Sequence, residues 1–254
     1  MKYTDEEFEQ LEHEERDLTD EAIAAMILLL TSSRNELKKE LSDFYQRYGK
    51  DGVVTYAEAR KWVSEKDHRR RLTVLIYFLH DSFQKTLSNI SPTFEGMVKD
   101  IIGKETKFFD VEVDVDKLTY MEWGTDEANW LDRLDDNVSL WEYNIASDLK
   151  RSLLKRENID KVLERIDKRF DSIERVIYKL TLTESTAVGS LARREIFNEL
   201  GVTKYRYYAM EDERTCEVCG ELHGMTFPIS AYEIGVTASP MHPHCRCFEI
   251  PIIN

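Results

Sequence analysis

Hydrophobic positions recur along most of this chain at helical spacing. Leu37, Leu41, Phe44 and Tyr48 return every three or four residues, which predicts a helix from about Asp20 to Tyr48, ended by Gly49 and Gly52. A second long helix is predicted from about Tyr56 to Asn89. Leu72, Leu75, Ile76, Leu79 and Phe83 form its apolar side, and Ser91-Pro92 is expected to break it. From Ile145 to Leu182 the pattern is helical throughout. Ile159, Val162, Ile166, Phe170, Ile173 and Ile177 make one stripe, which is bundle material and too short a heptad run for a coiled coil. Thr183-Glu184 is expected to cap a further helix that Gly201 ends. Val111, Val113 and Val115 alternate with acids and hint at a short exposed strand, whereas Trp123 to Trp141 reads as loop and helix.

After Gly201 the period changes. Thr203 to Ala209 alternates and is rich in aromatics, so it reads as a strand; Phe248 to Ile253 reads as a last strand, which Pro251 places at a sheet edge. The fold class is therefore mainly α: a long helical N-terminal body over residues 1–150 and a small C-terminal α+β module over 151–254, wrapped around a Cys/His cluster.

Charge modifies this picture locally. Residues 1–21 carry ten acids and two bases and read as a solvated or frayed acidic arm, ordered by a partner. Arg60, Lys61, Lys66 and Arg69 to Arg71 form a basic patch that Glu65 and Asp67 dilute, and residues 149–179 carry ten bases against six acids. The net charge of the chain is −14, which argues against non-specific clamping of nucleic acid by the whole surface. The longest apolar run, Ala22 to Leu30, is far short of the ~20 residues of a membrane span, and the acidic stretch before it is unlike a signal peptide.

The segment Tyr48 to Glu58 places Gly52, Val54 and Glu58 as a calcium loop would. Arg47 and Gly49, however, stand where two leading carboxylates are needed, so the expected structure is a helix–turn–helix with Thr55 and Glu58 forming a capping box. No Gly-rich phosphate loop, Gly-x-Ser-x-Gly or His-Glu-x-x-His occurs, and His13, His68 and His80 read as surface or packed residues.

All four cysteines fall in one late cluster. Cys216 and Cys219 form a Cys-x-x-Cys pair; after 22 residues come His242, His244, Cys245 and Cys247. A Cys-x-x-Cys knuckle presents two thiolates to one tetrahedral ion, and a Cys-x-Cys pair with an adjacent imidazole can complete the tetrahedron. Zinc fits this donor set best, in a closed, structural site. Disulfides and free thiols are the alternatives, and six candidate donors for four places leave the choice among His242, His244, Cys245 and Cys247 open. His223 reads as a loop residue.

Asp212, Arg214-Thr215-Cys216, Cys219, Leu222-His-Gly224, Phe227-Pro228 and His242-Pro243-His-Cys245-Arg246-Cys247, in that order, closely resemble the ending of the Mu F-like head morphogenesis proteins, a phage minor head protein family. The resemblance covers about residues 150–254, and Thr183-Glu184 resembles the family's Thr-Glu pair, although Leu182 stands where the family often has arginine. It implies a minor capsid protein acting in head morphogenesis at the portal vertex, with an influence on DNA packaging or ejection. It also implies the portal protein and other head proteins as partners, a location in the virion head interior, and host cytoplasm during assembly. No appended effector domain is expected after Cys247. A weak contact with packaged DNA through Arg69 or the stretch Lys150 to Arg169 is compatible with this role. The resemblance implies no catalysis. The competing reading is a zinc-framed, metal-dependent nuclease in which His242 or His244 activates a water, against which no His-Asn-His arrangement surrounds the cysteines. Asp212 and Arg214 are expected to orient the knuckle through hydrogen bonds.

Overall fold

The computed structural model describes residues 3–55, 57–58, 73–210 and 212–253, with the backbone alone for 73–87. The basic patch from Arg60 to Arg71 and the position of Leu72 lie outside the described residues, as do the side chains of Leu75, Ile76, Leu79 and Phe83. The protein is mainly helical with a small antiparallel sheet. The helices are α1 (Asp5–Tyr48), α2 (Thr73–Phe109), α3 (Val115–Thr119), α4 (Trp130–Leu154), α5 (Ile159–Glu199) and the short α6 (Glu217–Leu222). The strands are β1 (Lys204–Tyr208), β2 (Thr226–Pro228) and β3 (Phe248–Pro251), in the order β2-β1-β3. Pro251 does lie on an edge strand, opposite Tyr205. Among the described residues no helix is long and apolar enough to cross a membrane.

Two compact units form, each from separated stretches of chain: Met1–Ala24, Pro92–Arg133 and Tyr178–Asn254 in the first, Ala25–Ser91 and Leu134–Ile177 in the second. The second is a helical bundle. Val162, Ile166, Phe170, Ile173 and Ile177 of α5 are buried, as are Leu37, Leu41 and Phe44 of α1 and Val138, Trp141, Ile145 and Leu149 of α4. Each such side chain contributes about 1.5–3 kcal/mol on burial. Trp141 meets Phe170 edge-on at 4.9 Å and donates to the Arg169 carbonyl at 2.9 Å. Ion pairs such as Lys38–Asp167 (2.7 Å) lie at the margin and add under about 1 kcal/mol each.

The turn after α1 shows the expected capping box. The Thr55 amide donates to Glu58 Oε2 at 2.7 Å, and the Glu58 amide donates to Thr55 Oγ1 at 3.3 Å. Gly49 is required by close approach, since a Cβ there would lie 2.3 Å from the Tyr45 carbonyl oxygen and 3.0 Å from that of Val53. Both are backbone atoms with little freedom to retreat. Gly49→Ala is therefore expected to destabilise the bundle by about 1–3 kcal/mol, read as a lower urea midpoint by circular dichroism; an unchanged midpoint would mean that the turn relaxes freely.

In the first unit the sequence expectation needs four corrections. The acidic segment is no frayed arm: α1 starts at Asp5, with the Thr4 amide donating to Glu7 Oε2 at 2.7 Å, and Phe8 and Leu11 are buried. Its acids find partners far along the chain, Asp5 with Arg206 and Glu9 with the Tyr208 hydroxyl (2.5 Å). Ser91-Pro92 does not end a helix, because α2 runs through Pro92 to Phe109. The lost backbone bond is outweighed by Phe94, Met97, Val98, Ile101 and Ile102, which bury one continuous stripe. Thr183-Glu184 is not a helix start either, since α5 is unbroken; Thr183 bonds back to the Lys179 carbonyl at 2.8 Å. Finally, Val111 to Val115 forms no strand. Asp114 caps α3 by accepting from the Lys117 amide at 2.9 Å, and Val111 and Val113 pack on an aromatic core.

That core contains Phe8, Phe109, Phe197, Tyr205, Tyr232 and Phe248. It anchors β1 and β3, beside which the cysteine cluster lies.

Candidate metal centre

Alternation along β1 puts Tyr205 and Tyr207 on one face. Tyr205 enters the aromatic core, and Tyr207 packs with Ala209, Cys219, Cys245 and Cys247 in a second buried cluster. Cys216 is the N-cap of α6, with Sγ accepting from the Cys219 amide at 3.4 Å, and Cys219 lies within α6 and is buried. One helical turn thus points both sulfurs the same way. Cys245 and Cys247 precede and flank the start of β3, and Thr186 of α5 holds the Cys245 carbonyl at 3.0 Å.

Two overlapping triads can hold a metal ion: Cys216, Cys219 and His242, and Cys219, Cys245 and Cys247. Within each, the donor atoms lie within 4.8 Å of one another, and Cys219 belongs to both. Cys219 Sγ is 3.4 Å from His242 Nε2 and 3.8 Å from Cys245 Sγ. The other imidazole nitrogen, Nδ1, sits 2.8 Å from the Pro243 carbonyl, an arrangement that fixes the ring and leaves Nε2 to face the sulfurs. All four cysteines are free thiols. His244 is exposed, has φ +65° and packs against the Tyr178 ring instead of joining a triad. His223 caps the C-terminal end of α6, its Nδ1 3.2 Å from the Ala209 amide.

The electrostatics are those of crowded thiols. Hydrogen bonds from the Cys219 and Cys247 thiols, outweighing burial, pull the Cys245 pKa far down. The same interaction, then burial, pushes Cys219 and Cys247 up. Burial opposes the Cys216 thiolate, yet the Cys219 amide and thiol and the neighbouring His242 bring its pKa below the usual value. A cation bound among these sulfurs would take the place of the thiol protons, which metal binding releases. Tyr207 was not singled out by its sequence. Its hydroxyl donates to Cys219 Sγ at 3.4 Å, and alternation in the Tyr-Arg-Tyr strand was the available signal.

The loop before the knuckle is tied down by Asp212. Arg246 binds it with both guanidinium nitrogens (2.6 and 2.5 Å), and the Arg214 amide donates to it at 2.8 Å. The Arg246 bonds, first among the causes, hold the Asp212 carboxyl well below the usual carboxylate range. Asp212 therefore orients this loop as expected, while Arg214 takes part through its backbone.

Glu184 of the Thr-Glu pair is buried among other partners. It accepts from Trp123 Nε1 at 2.7 Å and Arg133 Nη1 at 2.9 Å, with the Arg133 guanidinium over the Trp123 ring. Burial raises its pKa, and Arg133 and Trp123 act against that rise.

Residues 143–250 match the family described as Phage Mu protein F like protein. The resemblance carried by the Cys/His ending thus holds over that span. No curated protein and no solved structure matches the chain.

Proposed function

We propose that the protein is a minor capsid protein of a phage head, incorporated at the portal vertex, with a part in DNA packaging or ejection. The observation that carries this reading is the family match over 143–250. The helical body and the buried Cys/His cluster suit an assembly and interaction role without catalysis. Its partners are the portal protein and other head proteins, and its place is the virion head interior, reached from the host cytoplasm during assembly. In the sequence, 151–254 is the family module and 1–150 its helical leader, a division of the chain distinct from its compact units.

Within the module, four of the five residues Cys216, Cys219, His242, Cys245 and Cys247 are the donors for one structural zinc ion. Soft sulfur donors, one imidazole with its second nitrogen occupied, and free thiols in a buried cluster fit that ion. Bound zinc would cross-link the knuckle to β3. Contact with packaged DNA is weak, because Arg165, Lys168 and Arg169 are engaged by Glu157, Glu164 and Asp148.

Co-expression with the portal protein of the same phage, followed by gel filtration, tests the assembly reading. A co-eluting complex is expected at physiological salt. No complex at any salt, together with magnesium-dependent cleavage of DNA, would replace it with the nuclease reading.

A further inference from the structure

Helix α4 carries large apolar side chains on two opposite sides. One, made by Leu134, Val138, Trp141, Ile145 and Leu149, is buried. On the opposite side, Asp136, Leu140, Tyr143, Ser147, Lys150 and Leu154 recur at alternating steps of four and three residues. At 3.6 residues per turn these six positions stay within an arc of about 80°, the spacing of a coiled-coil seam. Leu140 is 61% exposed, Tyr143 70% and Leu154 58%. Leu140 and Tyr143 lie about one turn apart, and Leu154 continues the row beyond Ser147 and Lys150.

The charges along the row select its occupant. Asp132, Asp135 and Asp136 mark the N-terminal end of α4. Lys150 and Arg151 mark its C-terminal end, with Lys155 and Arg156 just beyond. Neither Asp136 nor Lys150 enters an ion pair among the described residues. A helix that is acidic at one end and basic at the other complements itself when reversed. We propose that a second copy of this chain packs its α4 antiparallel against this face, about a twofold axis near Ile145. Tyr143 then meets the second copy's Ser147, large against small, twice. Leu140 packs on the aliphatic stem of the second copy's Lys150, whose ammonium reaches Asp136 one turn away. A parallel copy would instead oppose like charges and stack large on large. The contact is isologous, so it closes as a dimer and does not propagate. One pair of helices buries less than a standard interface, so a weak, concentration-dependent dimer is expected. At ~0.15 M salt, screening over about 8 Å leaves these contact pairs largely intact while muting repulsion between the two acidic chains.

Sedimentation equilibrium of the full chain tests this directly. A monomer–dimer equilibrium is expected. Asp136→Lys and Lys150→Asp should each raise the dissociation constant about tenfold or more, and the double swap should return it close to the original value. Both sites are exposed, so circular dichroism, and the unfolding midpoint measured at concentrations where the chain is monomeric, should stay unchanged and separate loss of pairing from loss of fold. A monomer at every concentration overturns the proposal. So does a dimer indifferent to the single swaps, a double swap that fails to restore pairing, or a face that binds only another head protein.

Discussion

Arg193→Ala is expected to destabilise the first compact unit by about 3–5 kcal/mol, the usual cost of leaving buried charge without its partner. Arg193 lies on α5 and is fully buried. Its Nη2 reaches Glu12 at 3.1 Å, Glu15 at 3.3 Å and Glu105 at 2.5 Å. Its guanidinium also lies 5.5 Å from the centre of the Phe248 ring. Glu249 on β3 adds a fourth carboxylate nearby, itself held by the Ser190 and Tyr232 hydroxyls at 2.8 Å and the Ser239 amide at 2.6 Å. Burial would lower the Arg193 pKa, but the charges of Glu105, Glu15, Glu12 and Glu249 raise it well above its ordinary value. One cation among four acids cannot keep all of them ionised. Burial, then the charge of Glu105, pushes Glu15 well up; burial raises Glu12 and Glu249 against the pull of Arg193.

The sign of the pH dependence follows from those directions. A carboxyl whose folded pKa lies above its unfolded value, about 4.3 for Glu, contributes fully below that value and loses its contribution as pH rises through the folded pKa. The first unit should therefore be more stable at mildly acidic pH than at alkaline pH. Glu15→Gln, which mimics the protonated acid, should cost little at neutral pH and flatten the slope. Thermal unfolding of the wild type, Arg193→Ala and Glu15→Gln across pH 5–9 distinguishes the cases. A Glu15→Gln loss as large as that of Arg193→Ala would mean that Glu15 is ionised and paired.

This cluster also marks the limit of what the chain discloses by local pattern. Ten acids in 21 residues look solvated because their partners, Arg193, Arg206 and Tyr208, stand some 180–200 positions later. Helix breaks at Pro92 and Thr183 fail for a related reason: local propensity is outvoted by stripes of buried side chains such as Phe94 to Ile102. Features written in short-range spacing were legible. They include the Thr55–Glu58 capping box, the α5 stripe, the strand at Phe248 with Pro251 at the edge, and the gathering of Cys216, Cys219, His242, Cys245 and Cys247. The exclusion of His244 was not legible, since two imidazoles flanking one proline look alike until the backbone at φ +65° turns one of them toward Tyr178.

Cys219→Ser is expected to be the most damaging single change in the C-terminal region, more so than Cys216→Ser. Cys219 alone belongs to both donor triads, and it is buried where Cys216 is half-exposed. A hydroxyl there is a poor zinc donor, and its loss breaks the link between the α6 knuckle and the Cys245–Cys247 strand start. The sheet next to it is small: β2 has three residues and β3 four. Strands that short hold together poorly without a staple. The aromatic core around Tyr205, Tyr232 and Phe248 remains available, so the loss should be local. Wild-type protein is expected to carry one zinc per chain by elemental analysis, and a chelator or Cys219→Ser should expose residues 204–251 to proteolysis while the second unit keeps its helical signal. Cobalt substitution then resolves the donor set, because the ligand-field bands of a four-sulfur site differ from those of three sulfurs and one imidazole. His242→Ala should shift those bands if His242 is a ligand and leave them in place if four thiolates suffice. Full proteolytic resistance in metal-free protein would show that packing around Tyr207 closes the module by itself.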